Sequence, residues 1–126
     1  MLHSAHAILI VDDDPSVAET FSRLLGLEGF TVYTAVSPAG GLEIAADKHP
    51  DAIILDLRMP ILNGLQFLQL LREAPTLRDT PVAIVTGDYF LDDQTTSQIE
   101  SLGASVRFKP IWMDDLVALA RGLTAA

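Results

Sequence analysis

Ile53-Ile54-Leu55-Asp56 is the stretch that most narrows what this chain can become. An apolar run so short and so rich in β-branched residues reads as a strand buried on both faces, the kind parallel sheets are made of. It closes on Asp56 and continues as Leu57-Arg58-Met59-Pro60, after which Pro60 and Asn63-Gly64 predict a turn before any helix can start. A carboxylate in that place stands at the carboxyl end of a buried strand, where open α/β sheets bind their ligands. Asp56 is read as a nucleophile.

The rest of the chain alternates around it. Ala7-Ile8-Leu9-Ile10-Val11 is a second buried strand and ends in Asp12-Asp13-Asp14. Pro15 suits the first turn of a helix capped by Asp13 or Asp14, with Val17, Phe21, Leu24 and Leu25 on its inner face and Gly26 with Gly29 as its stop. Phe30 to Ala35 alternates apolar with polar and predicts a half-covered strand near an edge. Ser37-Pro38 opens a short helix through Leu42, Ala45 and Ala46, ending before Pro50. A helix from Gly64 presents Leu65, Leu68 and Leu71 inward and stops by Pro75.

Pro81 to Val85 is the next strand and runs into Thr86-Gly87-Asp88. Asp92 or Asp93 caps a more polar helix to Leu102, with Gly103 as its stop. Ala104 to Phe108 is a short last strand before Lys109-Pro110, and Asp114 or Asp115 opens a helix carrying Leu116, Leu119, Ala120 and Leu123. Five strands alternating with five helices predict an α/β fold, a doubly wound parallel sheet with right-handed crossovers and helices on both faces. With 126 residues and no repeat or linker, a single domain over 1–126 is expected, its ordered core about 7–123.

That topology gathers the polar residues. Asp12, Asp13, Asp56, Thr86 and Lys109 all stand at strand ends, and in a parallel sheet those ends share one edge. Three carboxylates together repel and raise one another's pKa values unless a cation joins them. An all-oxygen cluster without His or Cys suits Mg²⁺, which keeps several waters and takes few protein carboxylates. The Thr86 hydroxyl and Lys109 ammonium are what an incoming oxyanion needs. The implied chemistry is phosphoryl transfer onto a carboxylate.

Composition excludes several other classes. With no cysteine there is no disulfide, thiolate metal site or thiol catalysis, which fits a reducing, cytoplasmic setting. The net charge of −9 argues against direct nucleic-acid binding. No basic n-region precedes an apolar segment at the N-terminus, and no apolar run approaches the roughly 18 residues of a membrane span. His3, His6 and His49 have no partners at ligand spacing and read as exposed and idle. Phe108 and Trp112 read as core or half-buried packing residues rather than a base-stacking surface.

Taken together, Val11-Asp12-Asp13-Asp14-Pro15, Leu55-Asp56-Leu57-Arg58-Met59-Pro60 with Asn63-Gly64, Val85-Thr86-Gly87 and Phe108-Lys109-Pro110 resemble the receiver domain of bacterial two-component response regulators. The resemblance covers essentially the whole chain. It implies a flavodoxin-like sheet of order 2-1-3-4-5. It also implies that Asp56 accepts phosphate from the phosphohistidine of a sensor histidine kinase or phosphotransfer protein. Asp13, Asp56 and the backbone carbonyl of Arg58 would bind Mg²⁺, with Asp12 helping through water. Lys109 and Thr86 would contact the phosphoryl group, and the Lys109-Pro110 bond would be cis. A homodimer is compatible with the resemblance.

Four features depart from the family pattern. Asn63 replaces the usual acid, and the stretch from Gly103 to Lys109 is one residue short. Val106 stands where an aromatic switch residue is usual. Asp88, beyond Gly87, adds negative charge near the incoming phosphate, and the family geometry implies that Arg58 and Asp88 meet above it as modulators of the pocket. Two competing classes are a Mg²⁺-dependent aspartate-nucleophile phosphohydrolase and a phosphate-independent interaction module on the same fold. The first wants a proton-donating acid where Arg58 stands. The second leaves the acids, Thr86 and Lys109 without a purpose. No effector segment follows Ala126 in this sequence, so a single-domain regulator and a piece of a longer one are both compatible with it.

Overall fold

Each apolar run becomes a strand and each strand leads into a helix. The computed structural model describes residues 6–88 and 90–125; the expectation for His3 lies outside them. In order the elements are β1 (Ala7–Val11), α1 (Pro15–Leu27), β2 (Thr31–Ala35), α2 (Pro38–Lys48), β3 (Ala52–Asp56), α3 (Gly64–Glu73), β4 (Val82–Thr86), α4 (Asp93–Ser101), β5 (Ala104–Phe108) and α5 (Met113–Thr124).

All four strand pairings are parallel, and the sheet order is β2-β1-β3-β4-β5. β3 and β4 are buried along their whole length, whereas edge strand β2 exposes Thr31 and Thr34, half-buries Val32 and Tyr33 and buries only Ala35. Because side chains alternate across a strand, β1 and β3 feed two separate cores. Leu9, Val11, Ile53 and Leu55 pack with Ala45, Phe67, Leu68, Leu71 and Ile99 from α2, α3 and α4. Ile8, Ile10 and Ile54 pack with Ala18, Phe21, Leu25, Leu116 and Leu119 from α1 and α5 on the other face.

Local chemistry fixes where the helices begin. The Asp14 side chain accepts from Ser16 N–H at 3.0 Å, which decides the α1 cap between the two aspartates. Ser37 caps α2 and Asp92 caps α4 in the same manner, and Asn63 with Gln66 forms a reciprocal capping box on α3. Gly64 opens α3 so close beneath the sheet that a β-carbon there would lie 2.6 Å from the Asp56 carbonyl oxygen. Only glycine lets that helix reach the strand end.

Several expectations need correcting. Gly26 lies inside α1 rather than ending it; Glu28 is the C-cap, and Gly29 takes the positive φ of 95°. Phe67 belongs to the inner face of α3, while Leu65 is only half-buried. Neither Asp114 nor Asp115 caps α5: both lie in its first turn, and the N-cap is Trp112, which makes no side-chain capping bond. Trp112 is 71% exposed and Phe108 45%, so these two aromatics are surface rather than packing residues. The reason is positional: Phe108 is the last residue of edge strand β5, and Trp112 stands in the connection at the start of α5. His6 is not idle: its Nδ1 lies 3.7 Å from Asp51, whose carboxylate also accepts the Ala7 N–H at 2.7 Å.

Candidate functional site

Four strand ends meet at the carboxyl edge. Asp12 directly follows β1, its N–H held by the Ala35 carbonyl at 3.1 Å. Its carboxylate is buried and spoken for on both sides: Oδ1 accepts Asp14 N–H at 2.9 Å and Oδ2 accepts the Lys109 ammonium at 2.9 Å. Asp56 ends β3, also buried, with Oδ1 3.6 Å from Lys109 Nζ. Asp13 is exposed, yet one carboxylate oxygen each from Asp12, Asp13 and Asp56 falls within 4.8 Å of the others. Three hard oxygen donors so placed, with no soft or nitrogen ligand among them, fit a Mg²⁺ ion.

The other half of the site comes from β4 and β5. Thr86 is fully buried at the end of β4, and its Oγ1 accepts the Asp88 N–H at 3.1 Å. The Lys109 N–H donates to the Thr86 carbonyl at 2.8 Å, so the two strand ends are tied before their side chains act. The Lys109-Pro110 peptide is cis. Gly87 is exposed with nothing near enough to crowd a side chain. Val106 pairs with Ile84 within the sheet and packs half-buried against the first core.

Arg58 and Asp88 do meet, as the family geometry implies. Arg58 Nε donates to Asp88 Oδ2 at 3.1 Å, and Nη2 reaches the same oxygen. Asp88 Oδ1 is taken by the Phe90 N–H at 3.0 Å. Between the acids and Gly64 the chain passes through Ile61, a β-branched residue at φ 72° and fully exposed. That backbone is strained by roughly 1–3 kcal/mol.

Electrostatics single out Asp56. Burial, more than repulsion from neighbours, raises its pKa to about 6; Asp12 and Asp13 add to the rise, while Lys109 and the Arg58 N–H oppose it. The expected mutual repulsion is therefore present but secondary. For Lys109, burial pulls the pKa down, but the hydrogen bond to Asp12 and the charges of Asp56 and Asp12 outweigh it and leave it raised. The ammonium stays charged. Its direct bond to Asp12, 97 positions away, is one that no local spacing announces.

Comparison with known proteins bears on the fold and the family. A family model, the response regulator receiver domain, matches residues 8–121. The transcriptional regulatory protein PrrA of Mycobacterium tuberculosis is 36% identical over 116 residues, 92% of this chain and 48% of the relative. The response regulator MprA of Mycobacterium ulcerans is 35% identical over 119 residues, 92% of this chain and 49% of that protein. The chain thus spans about half the length of these curated relatives. Among solved structures, the chemotaxis response regulator CheY4 of Vibrio cholerae superposes with a TM-score of 0.86 at 25% identity, covering 95% of this chain and 99% of that one. A putative response regulator from Chloroflexus aurantiacus gives 0.87 at 28% identity, covering 98% and 100%. A match that begins in the first strand and runs into the last helix, on a sheet of the same order, places this chain in the response regulator receiver family of two-component signalling.

Proposed function

We propose that Asp56 is the phosphoacceptor of this receiver and takes its phosphoryl group from the phosphohistidine of a sensor histidine kinase or phosphotransfer protein. The observation that carries this reading is a buried carboxylate at a strand end with an ammonium 3.6 Å away and two further acids within 4.8 Å. In the transfer an Asp56 carboxylate oxygen forms the new O–P bond as the N–P bond of the donor breaks, and the imidazole, protonated on its other ring nitrogen, takes the N–P electron pair and leaves neutral. Lys109, already charged and tied to Asp12, is positioned to balance the growing negative charge on the phosphoryl oxygens. Thr86, whose oxygen accepts from Asp88, still has its own hydroxyl proton to give.

Asp13, Asp56 and the carbonyl of Arg58, with Asp12 through water, would hold Mg²⁺. The ion would supply charge neutralisation that makes the acidic pocket tolerate a phosphate. The family is a signalling one, and in this reading the chain relays a change of conformation rather than turning over a substrate. Being kinase-fed, it would act in the cytoplasm. The transcriptional role named for its relatives would depend on sequence they carry beyond the matched half.

Incubation with acetyl phosphate and Mg²⁺ followed by intact mass tests the reading. A stable single adduct is expected on the wild type and none on Asp56→Asn, because an amide is neither nucleophilic nor charged. Turnover without an adduct would favour a phosphohydrolase, although Arg58 stands where that class needs a proton donor. An adduct on Asp56→Asn at the wild-type rate would move the site elsewhere. No reaction at all would leave a phosphate-independent interaction module.

A further inference from the structure

The ion pair between Arg58 and Asp88 is built to be exchanged. Both guanidinium nitrogens that contact Asp88 converge on a single oxygen, Oδ2, because Oδ1 is occupied by the Phe90 N–H. The pair therefore lacks the two parallel bonds that make guanidinium–carboxylate contacts strong. Most of the Arg58 side chain, 63%, remains open to solvent. Its main chain meanwhile leaves the sheet only two residues beyond the acceptor, which ends β3. A phosphoryl group on Asp56 would bring about two negative charges and three acceptor oxygens to this spot. It would offer the fork of Arg58 the paired oxygens that Asp88 does not.

We propose that Arg58 is a second cationic ligand of the phosphoryl group, kept off Asp56 in the unphosphorylated protein by Asp88, and that it passes from Asp88 to the phosphoryl oxygens when Asp56 is modified. This rests on Asp56 being the phosphoacceptor. Release has a structural consequence, because Asp88 is tied to both sides of the β4–α4 connection. Its N–H donates to Thr86 Oγ1, and its carboxylate accepts the N–H of Phe90, two residues before Asp92, the cap of α4. Freed of Arg58, Asp88 carries an unbalanced charge beside Asp92. The start of α4 then gains a reason to rearrange that does not require an aromatic at Val106.

The test is titration with beryllium trifluoride, a stable mimic of the phosphoryl group, in millimolar Mg²⁺, read by fluorine NMR on the wild type, Arg58→Ala, Asp88→Ala and the double variant. Exchange predicts opposite signs for the single changes. Arg58→Ala should weaken binding on the order of tenfold, the loss of one charge-assisted contact. Asp88→Ala should tighten it several-fold, because Arg58 no longer has to leave a partner. The double variant should be as weak as Arg58→Ala. Restoration of wild-type affinity in the double variant would mean that Arg58 merely neutralises Asp88, and would overturn the proposal. So would unchanged binding in Arg58→Ala. Absence of a bound signal in the wild type itself would instead remove the phosphoacceptor reading, and this inference with it.

Discussion

The two halves of the pocket are made from different materials. Asp12 follows β1 and Asp56 ends β3, strands covered on both faces, and α3 beneath them buries Gly64, Phe67, Leu68 and Leu71 and is held by a capping box. Thr86 and Asp88 lead instead into α4, which buries only Ile99 and is attached through polar contacts at its start. Segments with few buried apolar contacts open at low free energy cost. The contrast teaches where rigidity is placed: the half that would receive the phosphate is fixed by packing, and the half that would report it is held by bonds that a new charge can outbid.

The largest effect should come from a single methyl group on the packed half. In Gly64→Ala the new β-carbon would meet the Asp56 carbonyl at 2.6 Å and the Leu57 Cα at 2.9 Å, both backbone atoms that cannot swing aside. Overpacking of this kind costs about 1–3 kcal/mol and sometimes more, and here the upper end is expected. Gly87→Ala, on the other half, adds its methyl to open space and should stay within about 0.5 kcal/mol of the wild type. Urea denaturation of the two variants compares the halves directly. Equal losses would erase the distinction.

A smaller effect of opposite sign is expected from the charge on Asp56. Raising its pKa from the ordinary 3.8 to about 6 makes the ionised form cost on the order of 3 kcal/mol in the fold. Between those two values the folded state keeps a proton that the unfolded state has lost, so this contribution falls as pH rises through the window and is flat above it. Asp56→Asn removes the cost. Without divalent cation the variant should be more stable than the wild type by about 2 kcal/mol at pH 7.5, with the gain vanishing near pH 4. A gain independent of pH would show that burial of the charge is not its source.

What was legible in the sequence divides along the same line. The packed half announces itself, because buried parallel strands are continuous apolar runs and their terminal acids stand out against them: Asp12, Asp13 and Asp56 needed only the topology to be brought together. The caps at Asp14 and Asp92 were legible because side-chain caps act within three residues, whereas Asn63, read only as a turn former, also caps α3. Phe108 and Trp112 were misread because hydrophobicity alone does not say whether an aromatic at the end of an edge strand, or in the connection beyond it, will be covered. The N-cap of α5 was misread for a related reason: nearby aspartates fit the local rule, but the chain places Trp112 there without a side-chain bond. The bond between Lys109 and Asp12 joins the first strand to the last and has no local signature at all.

The smallest of these effects sharpens the comparison through the metal. An ion that binds only the folded protein stabilises it by RT ln(1 + [L]/Kd), about 1.4 kcal/mol at ten times the Kd. For this protein the gain should be helped by relief of the repulsion among Asp12, Asp13 and Asp56. If the packed half alone holds the ion, Asp13→Asn should abolish the rise in melting temperature across millimolar Mg²⁺, since it removes the exposed member of the oxygen cluster without disturbing a buried contact. Asp88→Asn should leave the rise intact, because that carboxylate belongs to Arg58 and Phe90 rather than to the cluster. The measurement is a thermal melt of the three proteins over a Mg²⁺ series. Loss of the response in Asp88→Asn would mean that both halves share the cation, and that the division between a receiving half and a reporting half is drawn in the wrong place.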